Sequence, residues 1–197
     1  PTPLHHSLGQ RHLFLSLLTG ATLIKAYPFN PSIWIKALTT YEITFAIPVA
    51  THLKILQKYF LNQPSILKSI RCLVTSSAPA GKDFKKTILD QANFDFWEIY
   101  GMTETACATS ICYKKGYSTE HLGKAIEGTR IRITDQDSKG IGEIEVHSDC
   151  MCDGYLNNKN LWDNSITSDG YFKSGDLGKM LRISEKGKDQ IDNVLEL

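Results

Sequence analysis

The sequence lacks both an excess of positive charge and a long apolar run. Its 22 lysines and arginines nearly balance its 21 aspartates and glutamates, so the net charge of +1 offers no basic surface to nucleic acid or to a charged membrane. The longest apolar run, residues 13–24, is interrupted by threonine and glycine and is too short to cross a bilayer. We therefore expect no nucleic-acid partner and no transmembrane segment.

Cysteine is scarce and unevenly spaced. The chain has five cysteines, an odd number that argues against a disulfide framework and indicates a reducing, cytoplasmic location. Cys107, Cys112, Cys150 and Cys152 could in principle hold zinc together with His147. Their C-x4-C and C-x-C spacings are not the C-x2-C spacing of tetrahedral thiolate sites, so we favour inert thiols.

Helical and strand patterns alternate over the first half of the chain, which predicts βαβ units around a parallel sheet. One helix has Pro31 at its first position, which suits a helical start, and another contains the lysine-rich stretch 82–86, which we interpret as a solvated face. The predicted helices are 12–20, 31–41, 50–61 and 80–91, and the predicted strands are 21–26, 43–49, 70–77 and 94–101.

The pattern changes after about residue 115. Segments 129–135 and 141–148 alternate with period two around the polar turn 136–140, and segment 170–183 is again strand-like. We predict a β-rich, antiparallel second part without helices of any length. The predicted fold class is therefore α/β, with an α/β part over 1–115 followed by a smaller, barrel-like part over 116–182.

Two loops follow predicted strands of the parallel sheet, "TSSAP" (75–79) and "YGMTE" (100–104). Ligands bind at the carboxyl ends of such strands. The Thr103 hydroxyl suits a phosphate oxygen and the Glu104 carboxylate suits Mg²⁺, so these residue types indicate a nucleotide–magnesium site. The alternative is that both residues only cap a helix over 103–110.

Six segments stand in a characteristic order along the chain. They are "PLHHSLG" (3–9), "SSAP" (76–79), "YGMTE" (100–104), "LGKAIEGTRIRITD" (122–135), "GEIEVHSDCMCDGYLNN" (142–158) and "DGYFKSGDLG" (169–178). Together they resemble the motifs of the adenylate-forming superfamily, which comprises acyl- and aryl-CoA synthetases, luciferases and peptide-synthetase adenylation domains. The resemblance implies part of the large N-terminal domain of such an enzyme, and Met102 with the double histidine favours the acyl-CoA synthetase branch.

The resemblance also implies roles for individual residues. Tyr100 would stack on adenine, Asp176 would bind the ribose hydroxyls, Thr103 the α-phosphate and Glu104 the magnesium, while His6 would lie near the acyl carboxylate. His6, Thr103 and Glu104 are thus the implied catalytic residues. The full implied nucleotide-binding set is Ser76, Ser77, Ala78, Pro79, Tyr100, Gly101, Met102, Thr103, Asp176 and Lys186.

The implied reaction joins a small carboxylic acid to AMP, using ATP and Mg²⁺, and then transfers the acyl group to coenzyme A or to the pantetheine of an acyl carrier protein. The phosphate loop and C-terminal lid of the superfamily have no counterpart here, and Lys186 replaces a usual arginine in a hinge over 183–197. We therefore expect part of a larger enzyme, inactive alone. A catalytically dead scaffold, an amino-acid adenylation domain and an unrelated α/β nucleotide binder are the alternatives.

Overall fold

The computed structural model describes residues 2–26, 28–91, 93–113, 121–184 and 191–197. The chain divides into two compact units. The first comprises Pro1–Glu98 and Cys112–Thr119, and the second comprises Ile99–Ile111 and Glu120–Leu197. The predicted α/β class with a β-rich second part is confirmed. The domain bounds set from the sequence at residues 115 and 182 stay a prediction.

Four α-helices of the first unit overlap the predicted ones, although α1 begins five residues before the predicted start. They are α1 (Ser7–Thr19), α2 (Pro31–Thr40), α3 (Ala50–Asn62) and α4 (Lys82–Gln91). Helix α1 ends at Gly20, whose φ of 69° is the left-handed conformation that glycine adopts without strain. Helix α2 begins with Pro31, and the side chain of Asn30 accepts the backbone N–H groups of Ser32 and Ile33. Local capping chemistry therefore fixes these two helix ends.

Strands β1 (Phe45–Ala46), β2 (Cys72–Thr75) and β3 (Asp95–Met102) form the parallel part of a five-stranded sheet ordered β1-β2-β3-β4-β5. The register pairs Leu73 with both Ala46 and Phe96, and Leu73 and Phe96 have no solvent exposure. Helices α3 and α4 connect these strands, as the alternating pattern predicts. The strand predicted at 21–26 is wrong, because this segment has no regular structure.

The segment after β3 also differs from one of the expectations. Residues 103–105 form a turn, and β4 (Ala106–Tyr113) follows as the sheet neighbour of β3. A three-residue connection between neighbouring strands makes a hairpin. The alternative in which Thr103 and Glu104 cap a helix over 103–110 is therefore wrong.

The second unit contains an antiparallel sheet ordered β6-β7-β8-β9. Its core is one apolar cluster that includes Tyr100, Ile144, Val146 and Leu195. The strands are β5 (Lys124–Ala125, in the first sheet), β6 (Thr129–Thr134), β7 (Gly142–Ser148), β8 (Phe172–Ser184) and β9 (Ile191–Glu196). The prediction that this part lacks helices is wrong, because it contains one short helix, α5 (Lys159–Ser165). The N-cap of α5 is Asn158.

Within the part of the chain that the structure describes, no helix combines the length and the apolar character that a membrane crossing requires.

Candidate functional site

The β3–β4 hairpin depends on a close backbone approach at Gly101. A Cβ atom at this position would collide with the carbonyl oxygen of Ala106 on the returning strand. Only glycine fits there without moving the backbone, and its requirement is for space rather than for a positive φ. The hairpin consequently places Thr103 and Glu104 side by side at its tip, where Thr103 is exposed and Glu104 is half-buried.

Two contacts hold Glu104 to the segment that contains the "GYLNN" motif. The backbone carbonyl of Glu104 accepts the N–H of Cys152 at 2.9 Å, and its Oε1 accepts the hydroxyl of Tyr155 at 2.6 Å. The hydrogen bond to Glu104 raises the pKa of Tyr155 to about 12, so the phenol remains a donor at neutral pH. The ring of Tyr155 packs edge-on against Trp162 with centroids 5.6 Å apart. These contacts fix the direction of the Glu104 carboxylate.

Tyr100 and Asp176, which the resemblance assigns to adenine and ribose, meet directly. The Tyr100 hydroxyl donates to Oδ2 of Asp176 at 2.8 Å. Burial, with 8 % of the residue exposed, raises the pKa of Tyr100 well above its usual range, and the bond to Asp176 acts in the same direction. Asp176 itself is exposed, and its backbone N–H donates to the Ser174 hydroxyl at 3.1 Å. A carboxylate with two oxygens can accept this hydroxyl and still bind a ligand.

The segment 76–79 follows β2 in the first unit. Ser76 is buried and pairs with Val49 in a parallel bridge, whereas Ser77, Ala78 and Pro79 are exposed. Ser77 has a φ of 76°, a left-handed conformation that costs a residue with a side chain about 1–2 kcal/mol. Glycine adopts this conformation without strain, so Ser77 has a glycine-like backbone.

The other predicted site residues are His6, Lys186, Gly101 and Met102. His6 occupies the N-cap position of α1, where its exposed ring lies 4.5 Å from that of His5 and makes no capping hydrogen bond. Lys186 lies outside the described residues. Gly101 and Met102 belong to the end of β3, and Met102 packs against the core of the second unit.

A buried charged cluster in the first unit was missed by the sequence patterns. Lys85, Glu98 and Tyr113 are 3 %, 1 % and 1 % exposed, so the interpretation of 82–86 as a fully solvated face is wrong at Lys85. A signal was present, because Phe96, Glu98 and Tyr100 alternate on the buried face of β3. A glutamate in such a row requires a buried partner.

The donor set at the hairpin tip fits magnesium rather than a softer metal. Among the described residues, no group of three or more His, Cys, Asp or Glu side chains is placed to hold a metal ion, and the five cysteines are free thiols. Magnesium differs from zinc in that one or two carboxylates suffice when substrate phosphates and water complete its shell. Glu104, with the Thr103 hydroxyl beside it, meets that requirement.

A separate cavity of about 780 Å³ lies within the first unit and is lined by α1, α2 and segment 21–26. Its lining includes Trp34, Leu38 and His12, together with Phe45 and Arg71 at the amino ends of β1 and β2. Ligands of parallel sheets bind at the carboxyl ends of the strands. We therefore assign this cavity no part in nucleotide binding.

The chain is similar in sequence to known proteins. A sequence model described as AMP-binding enzyme matches residues 1–156. The 2-succinylbenzoate–CoA ligase of Bacillus licheniformis is 30 % identical over 89 % of this chain and 37 % of its own length, and the luciferin 4-monooxygenase of Photinus pyralis is 25 % identical over 89 % and 33 %. The chain thus spans about a third of the length of these relatives.

Solved structures agree in fold. O-succinylbenzoate coenzyme A synthetase from Bacillus subtilis, in complex with ATP and magnesium ion, superposes with a TM-score of 0.79 at 24 % identity, covering 99 % of this chain and 39 % of that one. ATP-bound MatB from Rhodopseudomonas palustris gives 0.79 at 25 % identity with the same coverage. With a family match over residues 1–156 and the fold of those enzymes, the chain belongs to the AMP-binding, adenylate-forming enzyme family.

Proposed function

We propose that the full-length protein activates a small carboxylic acid with ATP and then forms a thioester with coenzyme A. The observation that carries the proposal is the pair of contacts Tyr100–Asp176 and Tyr155–Glu104, which lie in one unit and orient two carboxylates that the family motifs assign to the nucleotide and its metal. The CoA ligases among the relatives favour coenzyme A as acceptor, with the pantetheine of an acyl carrier protein as the alternative.

In the first step, a carboxylate oxygen of the acid attacks the α-phosphorus of ATP. The new oxygen–phosphorus bond gives the acyl-adenylate, and the bond to the β-phosphate oxygen breaks to release pyrophosphate. In the second step, the thiolate sulfur attacks the acyl carbon and AMP leaves. Catalysis of this kind rests on positioning and on charge neutralisation.

The residues at the hairpin tip serve the first step. The Thr103 hydroxyl would donate to an oxygen of the α-phosphate, and the Glu104 carboxylate, whose direction is set by Tyr155, would hold magnesium. The metal, when bound, neutralises phosphate charge. We assign His6 to the acyl carboxylate, because it resembles the histidine of the Pro-x-x-His-x-x-Gly motif and is exposed at the start of α1.

The remaining assignments concern the nucleoside. The segment 76–79 lines adenine, Tyr100 presents its ring to the base with Gly101 and Met102 adjacent in sequence, and Asp176 accepts the ribose hydroxyls. Lys186 offers the ribose a single point charge where arginine would offer a planar fork. The free thiols suit a reducing compartment, so we also propose a cytoplasmic location.

A pyrophosphate-release screen of the full-length protein tests this function. The screen uses a panel of fatty, aromatic and short carboxylic acids together with amino acids, each with ATP and Mg²⁺. We expect release with at least one non-amino acid, and formation of its CoA thioester once coenzyme A is added. The 197-residue chain alone serves as the negative control, since a chain without the phosphate loop and the lid should release none.

Other outcomes separate the alternatives. AMP binding without pyrophosphate release from any acid would identify a catalytically dead scaffold. Release confined to amino acids would identify an amino-acid adenylation domain. Failure to bind any adenine nucleotide would contradict the proposal altogether.

A further inference from the structure

Three polar side chains, Lys85, Glu98 and Tyr113, contact one another and are buried in the first unit. Lys85 Nζ lies 2.6 Å from Oε2 of Glu98 and 2.7 Å from the hydroxyl of Tyr113. The Tyr113 hydroxyl in turn donates to the same Oε2 at 2.7 Å. Burial, followed by the charge of the Glu98 carboxylate and the hydrogen bond to it, raises the pKa of Tyr113 well above its usual range, so the phenol stays protonated. Oxygen Oε2 is thus fully engaged by the cluster.

The other oxygen of Glu98 points to a different partner. Oε1 accepts the backbone N–H of Ala80 at 2.7 Å. Ala80 directly follows the segment 76–79, in which Ser77 has the strained φ of 76°. A strained backbone persists only where its surroundings hold it. Glu98 therefore ties the far end of this segment to strand β3, while the Ser76–Val49 bridge holds the near end.

Stability alone does not account for such a cluster. Taking a lysine and a glutamate out of water carries a desolvation penalty that their attraction often fails to recover, and apolar replacements of similar volume are frequently as stable or more so. A buried ion pair that also fixes one backbone amide is better explained by the geometry it imposes. The geometry imposed here is that of the segment 76–79.

We propose that Glu98 is a positioning residue for adenine binding. Its Oε1 holds the 76–80 backbone in the conformation that receives the base, and Lys85 and Tyr113 hold the carboxylate in place through Oε2. The proposal rests on the proposed function in one respect, the assignment of 76–79 to adenine. Glu98 touches no reacting atom in this account and acts only through the segment.

The test compares two double variants of the full-length protein, Lys85→Met/Glu98→Gln and Lys85→Met/Glu98→Met. Both remove the buried charges and keep side chains of similar length. They differ in that the glutamine carbonyl can still accept the N–H of Ala80, whereas the methionine cannot.

We expect the variant with Glu98→Met to have a KM for ATP about tenfold above that of the variant with Glu98→Gln, because it loses one hydrogen bond to the partly buried amide of Ala80. The kcat and the KM for the acid should differ little between the two. Equal KM values for ATP in the two double variants, with equally lowered melting temperatures, would make Glu98 purely structural and overturn the proposal.

A second readout keeps this test separate from the proposed function. If the parent releases no pyrophosphate with any acid, the proposed activity fails, and the Kd for AMP from calorimetry then replaces the KM. The same tenfold difference between the double variants would support the positioning role of Glu98 in an inactive binder. Equal Kd values, or a parent that binds no AMP, would overturn it.

Discussion

Replacing Asp176 by asparagine tests whether Asp176 is a ribose ligand or a purely structural residue of β8. Asp176→Asn keeps the size of the side chain but removes its charge and one of its two acceptor oxygens. In the folded protein one of those oxygens already accepts the Tyr100 hydroxyl at 2.8 Å. The asparagine carbonyl can satisfy this hydroxyl or a ribose hydroxyl well, but it cannot replace two carboxylate oxygens.

The expected loss of affinity follows from the loss of one acceptor oxygen and of the negative charge. Hydrogen bonds to a charged group contribute about 1.5–3 kcal/mol, and each 1.4 kcal/mol is a factor of ten in affinity. The Kd for AMP should therefore rise about tenfold to a hundredfold. The melting temperature without nucleotide should change little, because asparagine keeps the size of the side chain and its carbonyl can still accept the Tyr100 hydroxyl.

Tyr100→Phe is the matched variant. Phenylalanine keeps an aromatic face for the base and leaves the Asp176 carboxylate in place, so AMP affinity should fall by less than it does with Asp176→Asn. Calorimetric titration of the full-length protein with AMP, and with a non-hydrolysable acyl-adenylate analogue, measures both variants. Unchanged affinity in Asp176→Asn, accompanied by a lowered melting temperature, would refute the ribose assignment and make Asp176 structural.

Three further predictions concern other parts of the chain. Glu104→Gln should reduce pyrophosphate release far more than ATP binding, because it removes the anionic metal ligand but keeps the shape; the parental rate would exclude Glu104 from the metal site. Lys85→Met alone leaves the Glu98 charge buried without its cation and should lower the free energy of unfolding in denaturant by about 3–5 kcal/mol, whereas an unchanged midpoint would contradict the buried pair. Burial lowers the pKa of His12 to about 4, and its Nε2 accepts a backbone N–H, so folding favours the neutral ring. The stability from His12 should be complete above pH 6.5 and decline by up to about 3 kcal/mol as the pH falls towards 4, a dependence that His12→Gln should remove.

Much of the fold was predictable because its signals are local. The ends of α1 and α2 follow from a glycine after one helix and an asparagine–proline start before the other, and both work through neighbouring backbone groups. The segment 21–26 shows where local signals fail. Its apolar residues favour a strand, but a strand requires a neighbour to pair with, and this segment instead lines a cavity beside α2.

The candidate site was predictable as a set of residues but not as a set of contacts. The motifs placed Tyr100, Glu104 and Asp176 in their roles, yet no spacing in the sequence indicates that Tyr155 binds Glu104, 51 positions away. Lys85 and Glu98 were hidden for a related reason. Lys85 lies in a helix and Glu98 in a strand that the sequence patterns predict correctly. Only the packing of α4 on β3 shows that the two charges pair with one another.

The double attachment of Glu104 has a consequence for local opening of the protein. A three-residue hairpin tip with free side chains would fluctuate independently of the remaining fold, since its few backbone hydrogen bonds are easily broken. Here the amide of Cys152 is bound to the Glu104 carbonyl and the Tyr155 hydroxyl to its carboxylate. The tip and the 152–155 segment therefore open as one cooperative unit, and the Cys152 amide should exchange its hydrogen with solvent only when the hairpin tip releases it.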